Sequence, residues 1–128
     1  MREPFHPLAD DIDLASVMHA LSDPVRLEIV ARLAGTDGEN CGGIGSGIDV
    51  HKSTMSHHYR VLREAGVTLT TIEGRARVVR LRQDDLETRF PGLLTSVLAA
   101  LGRAGDLQSA RAARTTDGQA HALTGIRR

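Results

Sequence analysis

The sequence is poor in several residues on which large classes of protein depend. It contains no Trp, one Tyr and two Phe, so it lacks the aromatic platform on which single-stranded nucleic acids stack. Its single cysteine, Cys41, excludes a disulfide within one chain and agrees with a reducing compartment. No apolar run approaches the roughly eighteen residues of a membrane span, and the N-terminal residues lack the apolar centre of a signal peptide. We therefore expect a soluble, cytoplasmic protein that has no membrane partner.

The charges are balanced in total but are segregated along the chain. Residues 1–50 hold three Arg against nine acids, a net charge of −6. Residues 51–82 hold one Lys and six Arg against two acids, a net charge of +5. Such a local excess of positive charge suits contact with phosphate groups. At 128 residues the chain is long enough for one domain with a modest core.

Residues 53–66 contain the pattern on which the functional prediction depends. With about 100° between successive residues of a helix, one side of this segment would pack inward: Met55, His58, Tyr59, Leu62 and Ala65. The opposite side offers hydrogen-bonding groups: Ser53, Ser56, His57, Arg60 and Glu64. Ser53 is a suitable N-cap and Gly66 a suitable C-terminal stop. A short helix of this kind, with Lys52 before it and Arg63 near its end, suits the major groove of duplex DNA.

Three helices are predicted before this segment, and the third of them is weak. Apolar residues at helical spacing predict a first helix over 12–21, and Ser22-Asp23-Pro24 starts a second helix that ends at Gly35. Residues 36–40 are expected to form a polar loop. The next ten residues, CGGIGSGIDV, contain four glycines, each of which costs a helix about 1 kcal/mol relative to Ala. We therefore expect the third helix to be short or partly irregular.

A β-hairpin and a last helix are predicted after it. Residues 67–72 and 76–81 are rich in β-formers and are separated by Glu73-Gly74-Arg75, which predicts a basic hairpin. Asp84 is a suitable cap for a last helix, which Pro91 should kink or interrupt. The fold class is therefore mainly α with a small β-hairpin (α+β), in the element order of a winged helix-turn-helix. Residues 11–102 would form this domain, with a flexible N-terminal arm over 1–10 and a disordered tail over 103–128.

Three blocks in this order resemble the ArsR/SmtB family of bacterial winged-helix repressors: HALSDPVRLEIVARLAG, KSTMSHHYRVLREAGV and EGRARVVRLR. The resemblance extends over residues 12–101. It implies a homodimer, assembled through the first and last helices, that presents two recognition helices to successive major grooves of a palindromic operator. It also implies repression that an effector releases, commonly a metal ion.

The resemblance also assigns roles to residues of the basic region. The positions that match the family's groove-facing residues are Ser53, Thr54, Ser56, His57 and Arg60. Among them, Arg60 is the candidate for a bidentate contact to guanine. The residues expected to hold phosphate are Lys52, Arg63, Arg75 and Arg77. His58 faces the interior on the helical wheel, and we interpret it as a core histidine rather than as a ligand of DNA or metal.

The dimer that the resemblance implies would use apolar residues of the first and last helices. They are Leu14, Val17, Met18, Leu94, Val97, Leu98 and Leu101. The apolar face that follows Pro91 is also wide for a small domain that already has three helices to bury. This width favours contact with a second copy of the chain.

The metal sites usual in the family are not intact in this sequence. Many members carry Cys-x-Cys on the third helix, whereas Asn40-Cys41-Gly42 offers one thiol, and residues 83–102 contain no His for a site on the last helix. The remaining candidate ligands are His6, His19 and Cys41, together with the acids Asp10, Asp11 and Asp13. One hypothesis is that His6 reaches Cys41 of the other subunit and forms a nickel- or zinc-type site for a divalent metal ion. The alternative is that Cys41 is a small buried thiol.

The sequence thus predicts a sequence-specific regulator of transcription that binds double-stranded DNA. The alternative is a winged-helix protein-interaction module that has lost DNA binding or effector sensing. The polar helix face and the net charge of +5 over residues 51–82 argue against that alternative. An enzyme is not expected, because His57 and His58 point about 100° apart and no acid is placed to orient either ring.

Overall fold

A computed structural model describes residues 4–46, 48 and 50–102 of the chain. Within these residues a short 3-10 turn, Ala9–Asp11, precedes five helices and three strands: α1 (Leu14–Ala20), α2 (Pro24–Leu33), β1 (Glu39–Asn40), α3 (Cys41–Ser46), α4 (Lys52–Ala65), β2 (Thr68–Glu73), β3 (Ala76–Leu81) and α5 (Gln83–Arg89). Residues 93–102 are also helical. The predicted fold class, mainly α with a small β-hairpin, is confirmed.

Aspartates cap the first two helices. Asp13 accepts a hydrogen bond from the amide of Ser16 at 3.0 Å, and Asp23 accepts from the amides of Val25 at 2.8 Å and Arg26 at 3.2 Å. Burial acts to raise the pKa of the Asp23 carboxyl, but these amide hydrogen bonds outweigh it and leave the pKa lowered. The second helix therefore begins where the sequence predicted it.

The segment between α2 and α4 holds both a confirmed and a wrong prediction. Helix α3 spans only Cys41–Ser46, in keeping with the short helix expected from its glycines. The preceding residues, predicted as a polar loop, include strand β1, in which Glu39 pairs with Val79 and Asn40 with Val78 of β3. A strand of two polar residues has no alternating pattern of its own. It forms because the edge of β3 offers unpaired backbone groups.

The strands form an antiparallel sheet in the order β1-β3-β2. Thr70 and Val79 are paired and buried on the face that packs against the helices. On the opposite face, Arg80 forms an ion pair with Glu73 at 2.9 Å. The hydrogen bonds that Arg80 and Thr71 donate to Glu73 lower the pKa of its carboxyl. Arg77 pairs with Ile72 and so belongs to the face of Thr70 and Val79.

Helix α4 has one boundary that was predicted and one that was not. It begins at Lys52, with His51 as the N-cap whose ring accepts from the amide of Ser53 at 3.4 Å. The prediction of Ser53 as N-cap was wrong because Ser53 already lies inside the first turn. Gly66 ends the helix as predicted, in the left-handed conformation with φ +89°.

The last helix starts one residue before the predicted cap. Arg82 occupies the N-cap position of α5, and its side chain makes no capping hydrogen bond to the helix backbone, so the prediction that Asp84 caps the helix was wrong. Helix α5 ends at Arg89, and a turn containing Pro91 separates it from the helical residues 93–102, as expected from the proline. The chain divides into two compact units at Leu94 and Thr95. The predicted tail, 103–128, lies outside the described residues.

The N-terminal residues that were predicted to be a flexible arm make defined hydrogen bonds from residue 5 onward. The carbonyl of Phe5 accepts from Arg63 Nε at 3.2 Å, and the carbonyl of Pro7 accepts from Arg82 at 2.9 Å. The ring of His6 accepts from the amide of Thr70 at 2.9 Å. Residues 5–7 are therefore joined to α4 and the sheet, which the composition of the segment did not reveal.

The core is built from aliphatic side chains contributed by the helices and the sheet. Its largest fully buried members are Ile12, Ile29, Leu33, Ile44, Leu62 and Val17. Helix α3, despite its three glycines, is thus held by burial of its one large apolar side chain, Ile44. Among the described residues, no helix combines the length and apolarity that crossing a bilayer requires.

Substitution of Gly66 by Ala should destabilise the protein more than the same substitution at Gly35. Both glycines are left-handed, with φ of +89° and +84°, so an alanine costs each about 1–2 kcal/mol in conformational strain. A Cβ at Gly66 would lie 2.6 Å from Cγ1 of the buried Ile12, whereas a Cβ at Gly35 meets nothing within 4 Å. This steric overlap should lower the free energy of unfolding of the Gly66→Ala variant by about a further 1–3 kcal/mol.

Urea unfolding of both variants measures this difference. Gly35→Ala is the matched control for the conformational term, since it shares the backbone conformation without the contact. Equal losses in the two variants would contradict the packing of Ile12 against the end of α4.

Candidate nucleic-acid interface

Helix α4 is held against the rest of the protein by one buried side. Met55, His58 and Leu62 are 4%, 6% and 0% exposed, and Ala65 continues this buried side at the C-terminal end. The helix packs against α1, α2 and β2. Tyr59 adds a link to α3, because its hydroxyl donates to the carbonyl of Cys41 at 2.9 Å. The predicted division into an inner and an outer side is therefore present in the fold.

A buried arginine joins α4 to the first two helices. Arg26 is 7% exposed, and its guanidinium donates to the carbonyl of Ala20 at 2.7 Å and to Nδ1 of His58 at 3.1 Å. A third hydrogen bond reaches the carbonyl of His19 at 3.4 Å. Since a guanidinium can only donate, Nδ1 of His58 carries no proton, and the ring is neutral with its proton on Nε2.

The surroundings of His58 favour this neutral form. Burial lowers the pKa of its ring, and the positive charge of Arg26 lowers it further, while the carboxylate of Asp23 opposes the shift. The interpretation of His58 as a core histidine agrees with this environment. The role of Arg26 was missed, although a signal was present: residues 26, 29, 30 and 33 have the spacing of one helix face, and the other three are apolar.

The outer side of α4 presents polar side chains to solvent. Ser53, His57 and Arg60 are all exposed, and Arg60 donates to Nδ1 of His57 at 3.5 Å. Ser53 shares a hydrogen bond of 3.1 Å with the ring of His51, which fixes the first turn of the helix. Thr54 is exposed as well. These are four of the five residues predicted to face a DNA groove.

The remaining predicted contacts lie around a groove between α4 and the sheet. Lys52, Ser56 and Arg77 are exposed, and Arg63 is partly buried. All four line one cavity, which is described below. Arg75 is exposed at the tip of the hairpin, beside Gly74. The structure thus separates the exposed side of α4, which is predicted to contact bases, from the cations that are predicted to contact phosphate.

Two other arginines of the basic stretch are engaged within the protein. Arg80 binds Glu73 and also donates to the carbonyl of Asp37 at 2.9 Å. Arg82 forms an ion pair with Asp85 at 2.9 Å. Neither was predicted to contact DNA, and their carboxylate partners offset part of the positive charge of residues 51–82. The other cations of this stretch, Lys52, Arg60, Arg63, Arg75 and Arg77, lie on α4 and on the hairpin.

The candidate metal ligands do not form a site within one chain. Nε2 of His6 accepts the hydrogen bond from Thr70, His19 is exposed on α1, and Cys41 begins α3 with a partly buried thiol. Burial raises the pKa of that thiol, although Arg77 and Arg63 act in the opposite direction. In the part of the chain that the structure describes, no group of three or more His, Cys, Asp or Glu is placed to hold a metal ion. A site shared between two subunits stays a prediction.

The residues predicted for a dimer interface fall into two groups. Leu14 and Met18 are 47% and 52% exposed and lie four residues apart on one side of α1. Val17 and Leu94 are only 1% and 4% exposed, so their side chains serve the interior of the chain, and their assignment to an interface stays a prediction. Val97, Leu98 and Leu101 lie on one face of the helical residues 93–102.

Comparisons with known proteins bear on this arrangement. A family model described as a helix-turn-helix domain matches residues 21–71, from the residue that follows α1 to the middle of β2. The uncharacterized HTH-type transcriptional regulator YceK of Bacillus subtilis (strain 168) is 39% identical over 90 residues. The match covers 70% of this chain and 90% of that protein.

Solved structures with a similar fold come from regulators of the same kind. The transcriptional repressor BigR from Xylella fastidiosa is 28% identical with a TM-score of 0.50, over 60% of this chain and 85% of that one. An ArsR-like transcriptional regulator from Rhodococcus sp. RHA1 is 24% identical with a TM-score of 0.52, over 81% of this chain and 90% of that one. The resemblance to the ArsR/SmtB winged-helix proteins is confirmed in the fold.

The environment of His58 predicts that the protein loses stability in mild acid. Because the pKa of His58 is lowered in the folded state, the unfolded chain binds the proton more readily below the ordinary histidine pKa of about 6.5. The free energy of unfolding should therefore fall as the pH drops below about 6.5, by at most about 1.4 kcal/mol per pH unit for this one group.

His58→Asn tests this, since an Asn oxygen can replace Nδ1 as the acceptor for Arg26 but does not titrate. In urea unfolding between pH 7.5 and pH 5, the free energy of unfolding should depend less steeply on pH in His58→Asn than in the unsubstituted protein. His57→Asn, on the exposed side of the same helix, is the matched control and should keep the slope. A slope unchanged by His58→Asn would contradict the prediction.

Proposed function

Because the chain belongs to the family of helix-turn-helix transcriptional regulators, we propose that it acts as a homodimeric repressor that binds a palindromic operator. The family consists of DNA-binding regulators and not of enzymes. In the proposed complex, α4 is the recognition helix and enters the major groove, while the β2-β3 hairpin is the wing.

The observation that carries this proposal is the two-sided construction of α4. Its inner side is fixed by burial of His58 and Leu62 and by the hydrogen bond from Arg26, so the helix cannot turn about its axis without breaking them. Its outer side keeps Ser53, His57 and Arg60 exposed. A helix that is held rigidly on its inner side and exposes hydrogen-bond donors on its outer side is suited to read base edges.

The flanking cations would anchor the helix on the DNA backbone. Lys52 is the first residue of α4 and Arg63 lies in its last turn, while Arg77 lies on β3 and Arg75 at the hairpin tip. Contacts to phosphate fix the position of a protein on DNA but carry no sequence information, so we assign these residues to anchoring. Arg60 offers the two parallel donors that guanine accepts, so we assign it to reading.

Exposed apolar side chains near the N-terminus support the proposed dimer. Leu14 and Met18 on α1 are joined by Phe5 and Leu8, which are 65% and 73% exposed. Such residues are unfavourable in water and mark a contact surface when several occur in one segment. With α1 buried against a second copy, the two recognition helices would form one two-fold symmetric pair.

Substitution of Arg60 and Arg75 by Ala should separate reading from anchoring. Arg60→Ala should weaken binding to the operator by about 1–3 kcal/mol and leave binding to random DNA nearly unchanged. Arg75→Ala should weaken binding to both and lower the slope of log affinity against log salt by about 1. Fluorescence anisotropy at several salt concentrations, with DNA selected from the region flanking the gene and with scrambled DNA, measures both quantities.

The two variants serve as controls for each other, since each removes one exposed arginine. Equal losses on operator and scrambled DNA for both variants would contradict the division of roles. An unsubstituted protein that binds no duplex DNA at low salt would contradict the proposed function itself.

Substitution of Met18 by Glu should dissociate the dimer, because it places a charge at the centre of the exposed apolar surface of α1. Ser16→Glu is the matched control: it adds the same charge to the same helix about 160° away, where Ser16 is exposed beside its cap Asp13. Sedimentation equilibrium should give a dimer for the unsubstituted protein and for Ser16→Glu, and a monomer for Met18→Glu. A dimer in all three would place the interface elsewhere.

A further inference from the structure

A cavity lies between α4, the start of α3 and the inner face of the sheet. Its volume is about 460 Å³, within the range of small-molecule sites. One wall is apolar, formed by Val50, Met55 and the ring of Tyr59. Cys41, the first residue of α3, also lines the cavity. The DNA-contacting roles that we propose for residues of α4 and the hairpin do not explain why an apolar recess lies beside α4.

Among the described residues that line this cavity, the charged ones are cations: Lys52 and Arg63 come from α4, and Arg77 comes from β3. Three positive charges drawn from two elements raise the local potential for an anion, since they surround a space with low-dielectric walls. Arg63 also donates its Nε to the carbonyl of Phe5 at 3.2 Å, which fixes the position of its guanidinium.

Two ionisable groups indicate that the walls of the cavity are poorly hydrated. Burial raises the pKa of Tyr59 to about 12 and also raises the pKa of the Cys41 thiol. The positive charges of Arg77 and Arg63 act on the pKa of the same thiol in the opposite direction, and both arginines line the cavity together with Cys41. The recess therefore combines an apolar wall with a positively charged rim.

We propose that this cavity binds a small organic anion, with an apolar body against Val50, Met55 and Tyr59 and one acidic head on Arg63 and Arg77. The ligand would be the effector of the regulator, so the inference rests on the proposed function. A DNA phosphate could use the cations of the rim but has no apolar group to place against the wall, so the complementarity favours an amphipathic small molecule.

The bound anion would release DNA by occupying its anchoring cations. Arg63 and Arg77 are two of the four residues that we assign to phosphate. An acidic head that occupies them offsets part of their charge and removes part of the counterion release that DNA binding would otherwise gain, so affinity for all sequences falls. No movement of α4 is required, because ligand and phosphate compete for the same charges.

The probe for the test is 8-anilinonaphthalene-1-sulfonate, which has an apolar aromatic body and one sulfonate. N-phenyl-1-naphthylamine is its neutral counterpart, with the same rings and no acidic group. The sulfonate dye should bind the full-length chain at least tenfold more tightly than the neutral dye in a fluorescence titration. Equal affinities would overturn the proposal, because they would show that the positive rim does not contribute.

Cys41 reports whether the dye occupies this cavity. It is the single cysteine of the chain, so the rate of its alkylation by iodoacetamide is a specific measure of access to the site. The sulfonate dye should slow alkylation at least fivefold, with the same half-saturation as the fluorescence change. Bound dye that leaves the rate unchanged lies elsewhere, for example on the exposed apolar surface of α1, and would overturn the proposal.

A pair of variants on one strand isolates the charge. Arg77→Gln should weaken binding of the sulfonate dye at least fivefold and leave the neutral dye unaffected. Arg80→Gln removes the same charge from the opposite face of β3, where Arg80 is bound to Glu73, and should change neither affinity by more than about twofold. Equal effects of the two variants on the sulfonate dye would overturn the proposal.

Competition with DNA separates this inference from the proposed function. Saturating sulfonate dye should raise the protein concentration needed to bind half of the DNA at least fivefold, and the neutral dye should not. If the protein binds DNA and the sulfonate dye protects Cys41 without this effect, the cavity is not an effector site. If the protein binds no DNA, the proposed function fails, while protection of Cys41 still decides whether the cavity holds an organic anion.

Discussion

The orientation of α4 depends on one buried cation. The guanidinium of Arg26 is removed from water, and three acceptors compensate its loss of hydration: the carbonyls of Ala20 and His19 at the end of α1, and Nδ1 of His58 on α4. The last carbonyls of a helix lack partners within it and carry partial negative charge, so the end of α1 is a favourable place for a guanidinium. Removing any of these acceptors would leave a buried charge less well bonded, which is more costly than losing an ordinary contact. The three helices are therefore fixed relative to one another by a polar constraint and not only by apolar packing.

This constraint explains why a chain with three aromatic residues can present a rigid helix. A core of aliphatic side chains fills space well but restricts rotation of a helix only weakly, because neighbouring positions of similar size can exchange. A directional hydrogen bond to His58 allows one rotation of α4, and the bond from Tyr59 to the carbonyl of Cys41 fixes the same helix against α3. Among the described residues, no buried side-chain nitrogen or oxygen lacks a hydrogen-bond partner, so the polar groups of the interior specify one arrangement. The contacts on the inner side of α4 are therefore sufficient to hold the helix in position, without the exposed side chains.

The features that could be predicted from sequence are those that depend on local pattern. The period of α4, the stop at Gly66, the start of α2 at Asp23 and Pro24 and the break at Pro91 each depend on a few consecutive residues. The features that could not be predicted depend on partners far along the chain. Strand β1 exists because β3 has an edge on which it can pair. Residues 5–7 are bound because they form hydrogen bonds with Arg63, Thr70 and Arg82, and Val17 is buried on α1, which packs against α4. The candidate site follows the same division. The outer side of α4 could be predicted from the residue pattern, whereas the cavity beside it could not.

The cavity also bears on how a protein this small could respond to a ligand. Transmission between distant sites requires an element with two stable arrangements, and the hydrogen bonds that fix α4 allow it little freedom to adopt a second one. Competition for shared charge needs no such element, because an anion on Arg63 and Arg77 and a phosphate on the same residues would exclude one another. In the proposed mechanism the two binding free energies are linked reciprocally, so DNA would weaken binding of the anion by the same factor as the anion weakens binding of DNA. The proposed mechanism therefore allows a rigid α4 to coexist with a ligand response, since the ligand would alter the charge that faces DNA and leave the fold unchanged.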